Sequence, residues 1–126
     1  MKLLLSPRLH YVAAWLMYAL ILILGCVPGA RADLGQLAPG YLLHALAYGS
    51  LTCLLFSGGK GTPATRAAKA VLIVALMGAL DEFVQTFVPY RSGKLSDWAF
   101  DVAVSLATAG LLWHRARAAS GTNPIQ

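Results

Sequence analysis

Charge is what this sequence has least of. Only 12% of its 126 residues are Asp, Glu, Lys or Arg, and five of those are acids, while 58% are hydrophobic. A soluble domain of this size leaves much of its surface in water and needs more charge than that, so the soluble globular class is excluded. Cysteine is nearly absent. Cys26 and Cys53 stand alone, with no metal-type spacing and at opposite depths of two apolar runs, which excludes a disulfide framework and a thiolate metal site. Both read as small packing residues. No internal repeat is present. The net charge of +5 gathers into no single basic patch, so nucleic acid is not an expected partner. The basic residues lie instead at the ends of apolar segments, as in membrane proteins.

What is present is long apolar runs, and the mean hydropathy is +0.65. They predict an all-α fold: one polytopic bundle of four transmembrane helices over about residues 11–27, 41–56, 67–88 and 98–113, with a disordered tail over 118–126. Each run is near the roughly 20 residues needed to cross a ~30 Å hydrocarbon core. Seven basic residues (Lys2, Arg8, Lys60, Arg66, Lys69, Arg115 and Arg117) fall on one side, against Arg31, Arg91 and Lys94 on the other. The richer side should be cytoplasmic, with both termini inside. All five acids (Asp33, Asp81, Glu82, Asp97 and Asp101) then lie towards the outer side. Tyr11, Phe56 and Trp113 form an inner aromatic belt, and Tyr41, Tyr90 and Trp98 an outer one. A competing reading of the start is a cleaved secretory signal, with Lys2 and Arg8 before the apolar stretch and Ala30-Arg31-Ala32 after it. The run exceeds the usual h-region, which favours retention.

Ionisable residues inside a membrane segment cost enough to be functional candidates by default. Helical spacing sorts them into three stripes: Tyr41, His44, Tyr48 and Thr52; Gly78, Asp81, Glu82, Gln85 and Pro89; and Asp97, Asp101, Ser105 and Thr108. Turned away from lipid, the stripes should meet in the outer half of the bundle as a cavity open to the outside, above an apolar inner half. His10 and His114 should be solvated at the inner side. Four carboxylates against Arg91, Lys94 and His44 cannot all ionise comfortably together. Four readings stay open at this point: a structural polar network with Arg91 capping Glu82 or Asp81, recognition of a polar head group, acid–base catalysis by Glu82 with His44, or a cation at His44, Asp81, Glu82 and Asp101. No metal spacing is diagnostic, so neither metal nor cofactor is expected. No nucleophile motif is recognisable.

These residues carry a resemblance. His44-Ala-Leu-Ala-Tyr48, the stretch Gly78-Ala-Leu-Asp81-Glu82-Phe-Val-Gln85-Thr-Phe87-Val-Pro89-Tyr-Arg91, and Asp97 at the opening of the last helix resemble the VanZ-like family of small bacterial membrane proteins, across about residues 40–110. The sequence departs from that pattern at Gly40 and Tyr41, where the family often has Asp-Lys, at Asp101, where it usually has Asn, and at Val104, where it has Gly. Both the missing Lys and the added Asp make the cluster more acidic. The resemblance implies a multi-pass protein of the bacterial inner membrane with a cell-envelope role, of the kind associated with low-level resistance to the glycopeptide teicoplanin. It implies no defined reaction. The expectation is therefore a non-enzymatic protein whose pocket of His44, Tyr48, Asp81, Glu82, Gln85, Arg91, Asp97 and Asp101 binds a head group, a glycopeptide or a membrane partner. The alternative is a membrane-embedded hydrolase or transferase acting on a lipid-linked envelope precursor, with Glu82 and His44 as its acid–base pair. A conducting or transporting role fits poorly, because the inner half is too apolar and four helices too few for an inverted-repeat site.

Overall fold

The computed structural model describes residues 6–27, 33, 36, 40–88 and 95–121. Four long helices make the fold: α1 (Pro7–Cys26), α2 (Gly40–Gly58), α3 (Pro63–Gln85) and α4 (Leu95–Gly121), with no strand among the described residues. Three of them are long and apolar enough to cross a membrane: α1, α2 and the Leu95–Ala119 part of α4. The remaining helix, α3, carries Arg66 and Lys69 near its start and Asp81 and Glu82 near its end.

Local chemistry moves the boundaries outward from the apolar runs. α1 starts at Pro7 rather than at residue 11, because Ser6 caps it by accepting from the Leu9 amide and Pro7 needs no donor at the first position. Thr62 and Pro63 start α3 the same way, ahead of residue 67. That helix ends early, at Gln85, and Thr86–Val88 continue as a turn leading to Pro89, which disfavours helical backbone at the residue before it. α4 runs on past residue 113 through good helix formers to Gly121, so residues 118–121 of the expected tail are helical. The α2–α3 connection is short, and Gly61 sits there at φ 106°, a backbone conformation that favours glycine.

The helices alternate in direction. α1 packs along α2, α2 along α3 and α4, and α3 most extensively along α4, while α1 touches α3 only briefly. Their buried stripes follow helical spacing: His10, Ala14 and Tyr18 on α1, and Ala70, Val74, Met77, Asp81 and Gln85 on α3. Tyr48, Leu51 and Leu55 of α2 complete the centre against Val74. The outside is apolar, with Trp15, Leu16, Leu20, Leu72, Leu76, Leu106 and Leu111 all exposed, while Thr52, Asp81, Asp101 and Ser105 are buried. This inverted distribution is what lipid solvation of the outer surface produces, since large apolar side chains gain nothing by turning inward there.

Several expectations change. Cys26 and Cys53 are exposed on the bundle surface, not packed in it. His10 is buried, its Nδ1 3.0 Å from the Ser6 carbonyl, rather than solvated; His114 is exposed as expected. Phe56 is buried under the Arg66 guanidinium, which lies 4.3 Å from its ring centroid and donates through Nε to the Phe56 carbonyl at 3.0 Å, closing the end of α2.

Two glycines set the helix spacing. A Cβ on Gly58 would lie 3.0 Å from both the Pro7 carbonyl oxygen and Tyr11 Cδ2, and one on Gly78 would lie 3.2 Å from Trp98 Cδ1. Nothing lies within 4 Å of a Cβ on Gly110. Gly78→Leu should therefore force α3 from α4 and destabilise the protein by about 1–3 kcal/mol, whereas Gly110→Leu should be near neutral. Unfolding of the purified variants in mixed detergent micelles measures both, and equal losses would refute the assignment of Gly78 as a packing contact.

Candidate functional site

The polar side chains of α2, α3 and α4 meet at the end of the bundle where α3 finishes and α2 and α4 begin. α2 contributes His44 and Tyr48, four residues apart and stacked with centroids 6.0 Å apart. α3 contributes Asp81, Glu82 and Gln85, all buried on the face that also carries Gly78. α4 contributes Asp101, fully buried one turn after Asp97.

The hydrogen bonds link the helices in pairs. Tyr48 donates its hydroxyl to Asp81 Oδ2 at 3.0 Å, and Gln85 donates from Nε2 to Asp81 Oδ1 at 3.0 Å, so both Asp81 oxygens are held. His44 Nδ1 lies 2.9 Å from Asp101 Oδ1. When Asp101 is ionised it can only accept, so the Nδ1 hydrogen is then on His44, with Nε2 turned away from Asp101. Asp101 Oδ2 is buried without a hydrogen-bond partner among the described residues, and it would lie 3.7 Å from a Cβ on Gly78. One turn deeper, Thr52 donates to the Tyr48 carbonyl at 2.7 Å and accepts from the Ser105 hydroxyl at 2.9 Å, joining α2 to α4. In an apolar interior such bonds outweigh their number, because an unmet buried polar group has no water to turn to.

Most of the expected site residues come together in this cluster. His44, Tyr48, Asp81, Gln85 and Asp101 form the bonded set, and Glu82 is buried beside Asp81 on α3. Asp97 is only half-buried; in the first turn of α4 its charge favours the helix N-terminus. Arg91, together with Lys94, Tyr90 and Pro89, lies outside the described residues, so the expected Arg91 contact to Glu82 or Asp81 does too. Tyr41 leaves its stripe: it is 68% exposed, on the outer surface of α2. Thr108 bonds back to the Val104 carbonyl of its own helix. The carboxylate that orients His44 belongs to Asp101. No group of three or more His, Cys, Asp or Glu side chains suited to a metal is found among the described residues.

Two contributors were not visible in the sequence. The Tyr18 hydroxyl donates to the Met77 carbonyl at 2.8 Å, tying α1 to α3, and Trp98, read as a belt residue, donates its indole N–H to the Ala75 carbonyl at 2.9 Å. Backbone carbonyls as partners leave no trace in residue types. For Tyr18 the signal was its spacing of four from Ala14 and eight from His10 within one apolar run.

Beside the cluster, between α1, α2 and α3, lies a cavity of about 230 Å³. Ile21, Leu24 and Gly25 of α1 and Leu43 and Ala47 of α2 make its apolar side, and His44, Tyr48, Asp81 and Gln85 its polar side. Compared with known proteins, the chain matches no family model, no curated protein and no solved structure.

The bonding pattern separates the two roles of Asp101. Asp101→Asn keeps an acceptor for His44 Nδ1 and removes a formal charge from a fully buried position, so it should cost less than about 1 kcal/mol. Asp101→Ala strands His44 and should cost about 2–3 kcal/mol. Thermal unfolding in micelles compares them, and an Asn variant as unstable as the Ala variant would contradict this account.

Proposed function

We propose that this chain is a VanZ-like, multi-pass protein of the bacterial inner membrane, with four membrane-crossing helices and both termini in the cytoplasm, and that its outward-facing acidic pocket binds an envelope ligand without chemically altering it. The ligand classes are a polar head group, a glycopeptide of the teicoplanin type or a partner membrane protein. One observation carries the reading: His44, Tyr48, Asp81 and Gln85, drawn from two helices, form one polar wall of a cavity. A purely structural network would be expected to fill its own space, whereas this one leaves a concave face with few convergent polar groups, the usual anatomy of a ligand site. The run from Gly78 to Arg91 and the His44–Tyr48 pair supply the family resemblance.

A second reading is favoured by the way His44 is held. A buried carboxylate orients an imidazole that also lines a cavity, an arrangement that suits a general base. In that reading the protein is a hydrolase or transferase for a lipid-linked envelope precursor, with Glu82 as the partner acid and Arg91 binding an oxyanion. It requires turnover of such a substrate that disappears in His44→Ala.

Saturating the binding site of the purified protein should raise its stability, by about 2.7 kcal/mol at one hundred times Kd. Teicoplanin and envelope lipids are the ligands to screen by thermal unfolding, and Glu82→Gln and Arg91→Ala should shrink whatever shift is found. Shifts that are absent, or that persist unchanged in both variants, would refute the binding reading. The topology has its own check: green fluorescent protein fused after Gln126 should fluoresce, and alkaline phosphatase fused there should stay silent.

A further inference from the structure

The cavity has a floor, two unlike walls and a weakly closed side. The Tyr18 hydroxyl bridges α1 to α3 at Met77, 2.8 Å from its carbonyl oxygen. The cavity lies just beyond that bridge: Ile21, Leu24 and Gly25 follow Tyr18 by one to two turns, and Asp81 and Gln85 follow Met77 by one to two turns. α2 closes the back with Leu43, His44, Ala47 and Tyr48. Among the described residues α1 and α3 touch only briefly, so the side between them is the least sealed there. Leu20 and Ile23 of α1 and Leu80 and Phe83 of α3 are exposed, so the outer surfaces of both helices are apolar.

Resting on the membrane placement and binding role argued above, we propose that the cavity takes its ligand sideways from the bilayer, through the gap between α1 and α3. It holds the head and first methylenes of a single-chain amphiphile whose head donates hydrogen bonds, a hydroxyl or an ammonium, in preference to a phosphate or carboxylate. Size sets the first limit. A volume of about 230 Å³ is below the roughly 300–1,000 Å³ of pockets for drug-sized ligands, so a whole glycopeptide does not enter, although a chain attached to one can. The walls set the second. The α1 side offers only apolar contact, while the α2–α3 side is polar, so the bound molecule must be amphipathic. Charge sets the third. Asp81 stands on the polar wall and Asp101 directly behind His44, and no Lys or Arg lines the cavity among the described residues. An anionic head without protons brings only acceptors to a wall of acceptor carboxyl oxygens, whereas a hydroxyl or ammonium supplies the donors that they accept.

The test uses the full chain in phosphatidylcholine nanodiscs with three photoreactive probes, hexadecylamine, hexadecanol and hexadecyl phosphate, each carrying a diazirine near its head. The amine and alcohol probes should label Ile21, Leu24 or Leu43 saturably and yield to excess unlabelled hexadecylamine. Ala47→Trp, which fills the cavity from the α2 wall, should cut that labelling about tenfold, equivalent to losing roughly two methylenes of apolar contact. Labelling of the lipid-facing Leu16 and Leu76 should not change. Should Ala47→Trp not fold, Leu24→Trp fills the same space from α1. Unsaturable labelling confined to outward-facing residues, or labelling of the cavity that survives both tryptophans, would overturn the lateral site. Equal labelling of the cavity by the phosphate probe would overturn the head-group preference and leave the pocket standing. Absence of cavity labelling beside a teicoplanin or lipid thermal shift that still depends on Glu82 would overturn this inference alone.

Discussion

Asp81 and Asp101 are carried into the packed interior of a bundle whose outside is hydrocarbon-like, and the arrangement of the helices follows from what those two carboxylates require. Each needs donors that only another part of the chain can bring. Asp81 takes Tyr48 from α2 and Gln85 from its own helix; Asp101 takes His44, also from α2. α2 is therefore placed between α3 and α4 with its rotation fixed, since His44 and Tyr48 must each face a different neighbour. Apolar packing alone would fix neither register nor rotation so closely, because in lipid an exposed leucine and a buried one differ little in free energy. The close approach at Gly78 belongs to the same requirement: it lets Asp101 and Trp98 reach the surface of α3.

Much of this was legible in the residues. The three polar stripes were spaced for one face each, and since three stripes cannot face lipid they had to face one another. The individual pairings were not legible: spacing pointed to Glu82 as the partner of His44, whereas Asp101 holds His44 and Tyr48 donates to Asp81. The helix ends were harder. The caps at Ser6 and Thr62 and the prolines after them lie outside the apolar runs, so a reading by hydropathy starts each helix late. Tyr41 shows a second limit. It fits the spacing of His44 and Tyr48, yet one position at the edge of a stripe can turn outward at little cost, and here it does. The cysteines show the same limit: small size suggests packing, but a thiol is apolar enough to lie exposed on an apolar surface, as Cys26 and Cys53 do. A cavity was expected where the three stripes meet; instead it lies between α1, α2 and α3, and that position depends on how far α1 stands from α3, a quantity that no residue pattern encodes.

The same geometry separates structural from ligand-directed parts of the cluster. Thr52 and Ser105 bond each other and lie away from the cavity; their role is complete within the bundle. His44, Tyr48, Asp81 and Gln85 serve both, holding helices together while lining the open space. Substitutions among them will change stability and binding together, and only paired measurements separate the two.

The bond between Tyr18 and Met77 also bears on the order of assembly. Of the four helices α1 precedes the others in the chain, the Tyr48–Asp81 bond needs only α2 and α3, and the bonds of His44 and Thr52 need α4. In a bilayer His44 must then await its partner after insertion, and Asp101 arrives to complete the set. α1 is joined mainly by apolar contact and one carbonyl, so its docking need not wait for α4 and need not precede it. α1 thus serves twice, through Ala14 and Tyr18 in the shared core and through Ile21, Leu24 and Gly25 as one wall of the cavity, so any tilt of this helix is felt in the enclosure of the cavity.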